Sequence, residues 1–346
     1  MSGSLAARRS SLALAAVALL GAGCGTGASS AGGDRDLPTA MAGPFRLLRK
    51  GETGNTAPFV LDRSAPWEAP SALDLDGDPA TPAVALYVSW GATLSAISRY
   101  EAPDGITAGK TVATVVLAGD EDWEKPSGVG HPSVLRVGDE VWLYYAAGGC
   151  LGRAVSTDNG VTFTRSPSGP MLCAGPAWEG GALTAPGVHV GFDGRFHLLY
   201  GAAGAIGEAV SDDGVTFARV GEGPVLSASG VDFDAAAVGE PCVVTTTSPL
   251  GRPITMLYYS GHTSSDPSTD RLATGLAGRF GDTGPFERST APVLTRNDAH
   301  GPSVLRRGDV TVLYAAGRSS EVPGATWKSV IVGGVAPADR SLPTVE

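Results

Sequence analysis

A unit of about 55 residues recurs five times along this chain, and that repetition restricts the fold more than any other feature. One copy reads His131-Pro132-Ser133-Val134-Leu135-Arg136-Val137, then Gly138-Asp139, then Glu140-Val141-Trp142-Leu143-Tyr144-Tyr145. An apolar run, a turn signal and a second run rich in β-formers make a hairpin. The other copies run from Pro70 to Tyr87, Pro186 to Tyr200, Pro241 to Tyr258 and Pro302 to Tyr314. A second signature keeps the same phase: Leu61, Leu117, Leu172, Leu226 and Leu294 each end a short apolar run, at spacings of 56, 55, 54 and 68 residues. After them come Trp67-Glu68, Trp123-Glu124, Trp178-Glu179, Phe233-Asp234 and Asp298-Ala299-His300. About four strands per repeat is the size of a propeller blade, so the expected fold is all-β, a five-bladed β-propeller. A β-sandwich with coincidental spacing is the competing architecture, and two signatures in one phase argue against it.

The third strand of the unit is read from Gly152-Arg153-Ala154-Val155-Ser156 and Gly207-Glu208-Ala209-Val210-Ser211, more loosely from Thr274-Gly275-Leu276-Ala277. The turns that follow the first two, Thr157-Asp158-Asn159-Gly160-Val161-Thr162-Phe163 and Asp212-Asp213-Gly214-Val215-Thr216-Phe217, resemble the Asp-box turns of propeller glycosidases, in which the Asp caps a tight turn and the aromatic packs between sheets. Fourth strands begin at Phe163, Phe217 and Phe286. The last copy lacks such a strand, whereas Phe45-Arg46-Leu47-Leu48 and Phe59-Val60-Leu61 match it at the other end of the chain. The N-terminal strand is therefore expected to complete the last blade and remove its open edge.

The chain opens with Arg8-Arg9, an apolar run from Leu12 to Leu20, and Gly21-Ala22-Gly23-Cys24. A short cationic region, an apolar core too short to span a membrane and small residues make a secretory signal over residues 1–23. The segment also resembles a bacterial lipobox, with Gly21 at the usual leucine position, which implies lipidation of Cys24 and a place in the cell envelope; a plain secreted protein is the alternative. Residues 24–43 then form a Gly/Ser/Ala/Thr-rich tether, and 44–346 the propeller domain. Loss of residues 1–23 removes two arginines and no acid, so the net charge of −10 becomes −12, a balance without a basic patch for nucleic acid. A monomer is expected.

In a propeller the innermost strands start at the axis, so the residues just before each repeated proline converge there. They are Glu68-Ala69, Gly130-His131, Thr184-Ala185, Gly239-Glu240 and His300-Gly301. The second strands return to the same face and bring Trp90, Cys150, His262 and Arg318 to the rim, with Trp67, Trp123 and Trp178 nearby. Indoles beside carboxylates suit a sugar, whose C–H faces stack on the rings while acids bind hydroxyls or protonate a leaving oxygen. The tryptophans have a second reading as wedges between blades. His131 is read as a substrate contact rather than a zinc ligand, since no second His or Cys stands at ligand spacing.

From about residue 44 to 335 the chain resembles the five-bladed propeller glycosidases, chiefly glycoside hydrolase family 43, with families 32, 117 and 130 sharing the architecture. The Pro-Ser-Val…Leu-Tyr-Tyr hairpins, the Ala-Val-Ser-x-Asp-Gly-x-x-Phe turns and the acid opening the fourth blade carry the resemblance. It implies Glu240 as general acid and Glu68 as general base, oligo- or polysaccharide as partner, and His300 near an axial metal or water, with structural calcium at the axis as the one cofactor in view. Ala185 stands where the family has a third-blade Asp that tunes pKa, with Glu179 upstream. Burial among Val238 and Val243 is expected to raise the Glu240 pKa so that it keeps its proton near neutrality. Alternatives are a carbohydrate-binding or scaffold propeller that has lost its catalytic acids, and a phosphorylase using Arg153 and Arg318. With Cys24 assigned to the anchor, a Cys150–Cys173 disulfide is expected, and Cys242 is read as a buried thiol.

Overall fold

A computed structural model of the chain describes residues 45–48, 60–61, 67–75, 83–90, 96–106, 113–125, 127–248, 250–307, 310–319 and 328–336. The signal segment, Cys24 and the tether lie outside these residues. Five antiparallel sheets form the blades. Their innermost strands are Trp67–Asp74, Gly130–Val137, Thr184–Val190, Ala237–Thr247 and His300–Arg307. In blade 5 the outermost strand is Arg46–Leu47, paired with Val335 and Gly334.

The second strands read as continuous apolar runs because both of their faces are covered. Val84, Leu86 and Val88 pack toward blade 5, while Ala85 and Tyr87 pack toward blade 2. The core is accordingly divided into five clusters, each between two neighbouring blades. Hydrogen bonds repeat the same neighbour-to-neighbour logic. Tyr87 Oη donates to Gly160 O of blade 2, Tyr144 Oη to Gly214 O of blade 3 and Tyr314 Oη to Gly105 O of blade 1, at 2.9, 2.9 and 2.6 Å. Near the axis Ser303, Ser71 and Ser133 Oγ accept from Ala72, Val134 and Val188 N in the next blade, at 2.9 to 3.1 Å.

Both Asp turns are local caps. Asp158 Oδ1 accepts from Ser156 Oγ, Thr162 N and Val161 N, and Asp213 Oδ1 from Thr216 N, Val215 N and Ser211 Oγ, which holds both carboxyls well below the usual range although they are exposed. Phe163 and Phe217 then stand edge-on to Tyr87 and Tyr144 of the preceding blade. Phe45 does the same to Tyr258 at 6.1 Å, so the N-terminal strand supplies blade 5 with its fourth-strand aromatic as well as its hydrogen bonds. Leu61 bridges to Ile331 there, as Leu226 and Leu294 bridge to the third strands of blades 3 and 4.

Cys150 and Cys173 face each other across one register pair of blade 2 and form a disulfide, their Cα atoms 4.2 Å apart. Cys242 is free and half-buried, packed against the core between blades 4 and 5 where it lines the axial cavity, and burial pushes its thiol pKa up to about 11. Closing a loop of this size stabilises a domain by about 3 kcal/mol in the chain-entropy treatment. Reduction, or Cys150→Ser, should therefore lower the melting temperature by several degrees; equal melting of oxidised and reduced protein would remove that contribution.

Candidate functional site

Each innermost strand carries a bulge directly before its proline, seen as a register shift at Glu68/Ser71, Gly130/Ser133, Thr184/Gly187, Gly239/Cys242 and His300/Ser303. At the centre of each bulge the backbone is left-handed: φ is 45° at Ala69, 50° at His131, 43° at Ala185, 49° at Glu240 and 57° at Gly301. Four of the five are not glycine, so each holds a conformation that costs an L-residue roughly 1–2 kcal/mol. The bulges re-aim these positions, which with the following prolines line one depression at the axis. Its volume is about 20 Å³, room for a single oxygen atom.

Only one ring position is acidic. Glu240 Oε2 accepts from Ser260 Oγ at 2.6 Å, and that hydroxyl accepts in turn from Gly301 N at 2.7 Å. The other oxygen, Oε1, lies 3.8 Å from His131 Nδ1, a buried nitrogen with no hydrogen-bond partner. His131 is itself fixed by Ser89 Oγ, which accepts from its backbone N at 2.7 Å. His300 Nδ1 donates to Asp298 O at 2.8 Å. His262 Nδ1 bonds Asp270 Oδ2 at 2.7 Å, and Asp270 also accepts from Thr263 N and Ser264 N at the rim.

These neighbours reverse the expected titration of Glu240. Burial alone would push the carboxyl up, but the fields of His300 and His131, the Ser260 hydrogen bond and the field of His262 together hold it below the ordinary carboxylate value. Glu240 is an ionised acceptor, not a proton store. Desolvation was the wrong guide because three histidines converge on a group whose apolar neighbours in sequence point elsewhere.

Glu68 precedes the ring position Ala69 by one residue and pairs across its strand with Ser89. Its side chain, and those of Trp67 and Trp90, lie outside the described residues. Trp123 and Trp178 do not face a sugar. Each stacks on a second-strand tyrosine of its own blade, Trp123 on Tyr145 at 5.9 Å and Trp178 on Tyr200 at 6.3 Å. Phe233 does the same with Tyr259. Beneath each stack a buried acid accepts from that tyrosine and from the fourth-strand arginine: Glu124 from Tyr145 and Arg165, Glu179 from Tyr200 and Arg219, and Asp234 from Tyr259, with Arg288 Nε 3.2 Å away. Trp123 and Trp178 are structural wedges, and Glu179 belongs to the blade rather than the pocket.

Arg153 is also removed from the site, buried over the Trp142 ring at 4.2 Å with Nε donating to Ser166 O. Arg318 is at the rim, 3.9 Å from Asp298. Calcium takes six to eight oxygens; among the described side chains the ring offers it one carboxylate, with an oxygen engaged by Ser260.

No family model matches the chain, and no curated protein does. Solved structures do. A thermostable family-43 glycoside hydrolase superposes with a TM-score of 0.59 at 15% identity, over 83% of this chain and 98% of that one. An endo-1,4-β-xylanase from Bacteroides thetaiotaomicron gives 0.56 at 15% identity, over 78% and 90%. The Cellvibrio cellulosa α-L-arabinanase, solved with arabinohexaose, gives 0.55 at 12% identity, over 78% and 92%. The chain has the five-bladed propeller fold of these glycosidases.

Proposed function

We propose that this protein is an exported carbohydrate-binding propeller, held at the bacterial cell envelope through Cys24, that receives a sugar hydroxyl in the axial ring without hydrolysing the glycoside. One observation carries the reading: Glu240 Oε1 and the unpartnered His131 Nδ1 face each other across 3.8 Å, in a depression with room for one oxygen. A hydroxyl there donates to the carboxylate and lies beside the imidazole nitrogen, so both buried groups gain a partner. The rest of the sugar lies above the ring, since the depression admits no more. Hydrolysis by the usual route needs two carboxyls flanking the bond, one of them protonated. Here Ala69 and Ala185 occupy the first- and third-blade ring positions, and Glu240, the one acid lining the depression among the described side chains, is held ionised.

Arabino- and xylo-oligosaccharides are the first probes, chosen from the substrates named for the similar structures. Calorimetry should find binding to one of them, weakened at least tenfold by Glu240→Gln with the melting temperature within a few degrees of wild type. No reducing sugar should be released on long incubation. Release that is abolished by both Glu240→Gln and Glu68→Gln would replace this reading with a hydrolase in which Glu68 is the base.

A further inference from the structure

Blade 3 carries a second cluster at the opposite end of its inner hairpin. Its turn holds Asp193, the following strand holds His197, and the turn after the third strand of blade 4 brings in Asp282. One ligand atom from each of the three lies within 4.8 Å of the others. His197 is buried and its Nδ1 lies 3.0 Å from Glu208 Oε1, itself clamped by Arg279 at 2.6 and 2.8 Å. With Nδ1 bonded to Glu208, Nε2 is the ring nitrogen that faces Asp193 Oδ1 and Oδ2, 3.3 and 3.4 Å away, and either a proton or a cation can stand between them.

Three further features belong to the same spot. Asp193 N donates to Asp282 Oδ2 at 2.9 Å, while Asp282 Oδ1 is buried with no hydrogen-bond partner. A buried carboxylate oxygen without a partner requires an ion or water. Gly191 keeps the space open, since a Cβ there would come within 2.8 Å of both Asp193 Oδ1 and His197 Nε2. No spare cation stands by, with Arg279 committed to Glu208 and Arg195 turned to Asp212 at 2.6 Å.

We infer that Asp193, His197 and Asp282 form a site for a divalent transition cation of the zinc class, joining blade 3 to blade 4. A neutral imidazole nitrogen with two carboxylates is a zinc-type donor set, whereas calcium and magnesium prefer oxygen alone. Glu208 is the outer carboxylate that orients the ligating ring, and Arg279 orients Glu208. The half-exposed Asp193 side leaves a coordination position to solvent. The competing arrangement is a proton on His197 Nε2 shared with Asp193, which leaves Asp282 Oδ1 unanswered.

The full chain, freed of metal with a chelator, is titrated with zinc and separately with calcium by calorimetry and thermal melting. One zinc ion per chain should bind and raise the melting temperature by several degrees, with calcium at equal concentration inert. D193N and D282N, at turn positions, should each weaken zinc binding at least tenfold and abolish the thermal shift, while H131A leaves both unchanged. His197→Gln carries no weight because it unpairs buried Glu208 and could simply unfold. Absence of zinc binding, the outcome if a proton alone bridges the pair, overturns the site. So does zinc binding that survives D193N and D282N or disappears in H131A.

Discussion

Glu179→Ala should destabilise the propeller by about 3–5 kcal/mol and lower its melting temperature by roughly 10 °C, the largest effect expected of any single substitution here. The side chain of Glu179 is fully buried and accepts from Tyr200 Oη at 2.8 Å, from Arg219 at 2.7 and 2.8 Å, and from Gly175 N at 2.7 Å. Truncation strands the guanidinium and the phenol together beneath the Trp178 stack. Replacing both partners, as in Glu179→Leu with Arg219→Met, should recover most of the loss, because the stranded partner rather than the missing attraction accounts for the damage. Burial would push this carboxyl up, but the bonds from Arg219, Gly175 and Tyr200 bring it below the ordinary value of 4.5. Its contribution is therefore complete above about pH 4.5 and fades as the pH falls through the lower folded value. Denaturant unfolding of the single and double variants at pH 7 checks the claim. A single-variant loss under 1 kcal/mol would return Glu179 to the list of candidate site residues.

The repeat unit was legible because each blade must present the same faces to two neighbours, and that constraint writes itself into a period. The equivalence of Trp67-Glu68 with Trp123-Glu124 and Trp178-Glu179 was a misreading of the same period. All three stand six residues after their leucine, but only 9 residues separate Leu61 from Pro70, against 15 for Leu117 to Pro132 and 14 for Leu172 to Pro186. The short crossing places Trp67 inside the innermost strand, whereas Trp123 and Trp178 stand in a turn and a short helix ahead of theirs. A covarying signal was available: blades with the wedge have a second-strand tyrosine in register with a third-strand glycine, Tyr145 with Gly152 and Tyr200 with Gly207. Blade 1 has Val88 and Ser98 instead. A Cβ at Gly152 or Gly207 would strike both rings of the stack, which is why the three features travel together. The pairs of residues before the prolines located the ring, but which member of each pair faces the axis depends on a left-handed bulge that composition does not announce. Nor could the chain order reveal that Ser260 and three histidines would meet at Glu240, since they come from three strands, one in each of three blades, and Glu240 from a fourth strand.

Deletion of residues 25–62 should abolish cooperative folding, whereas deletion of residues 25–43 should leave the melting curve unchanged. The longer deletion removes the Arg46–Leu47 strand and the Leu61 bridge, so the third strand of blade 5 would end in unpaired N–H and C=O groups. It also strips apolar groups from two interblade clusters, Phe45 from the one shared with blade 4 and Leu48, Val60 and Leu61 from the one shared with blade 1. Loss of four buried side chains is worth on the order of 6–12 kcal/mol in transfer energy alone, which is comparable with the whole stability of an ordinary domain. Because a deletion can fail for reasons unrelated to closure, Leu48→Ala supplies a graded test. Leu48 is 2% exposed and fills the space above Gly333, so its truncation should lower stability by about 2–5 kcal/mol while the protein remains soluble. A soluble, cooperatively melting 25–62 deletion, or a Leu48→Ala variant as stable as wild type, would show that the ring closes without its N-terminal strand.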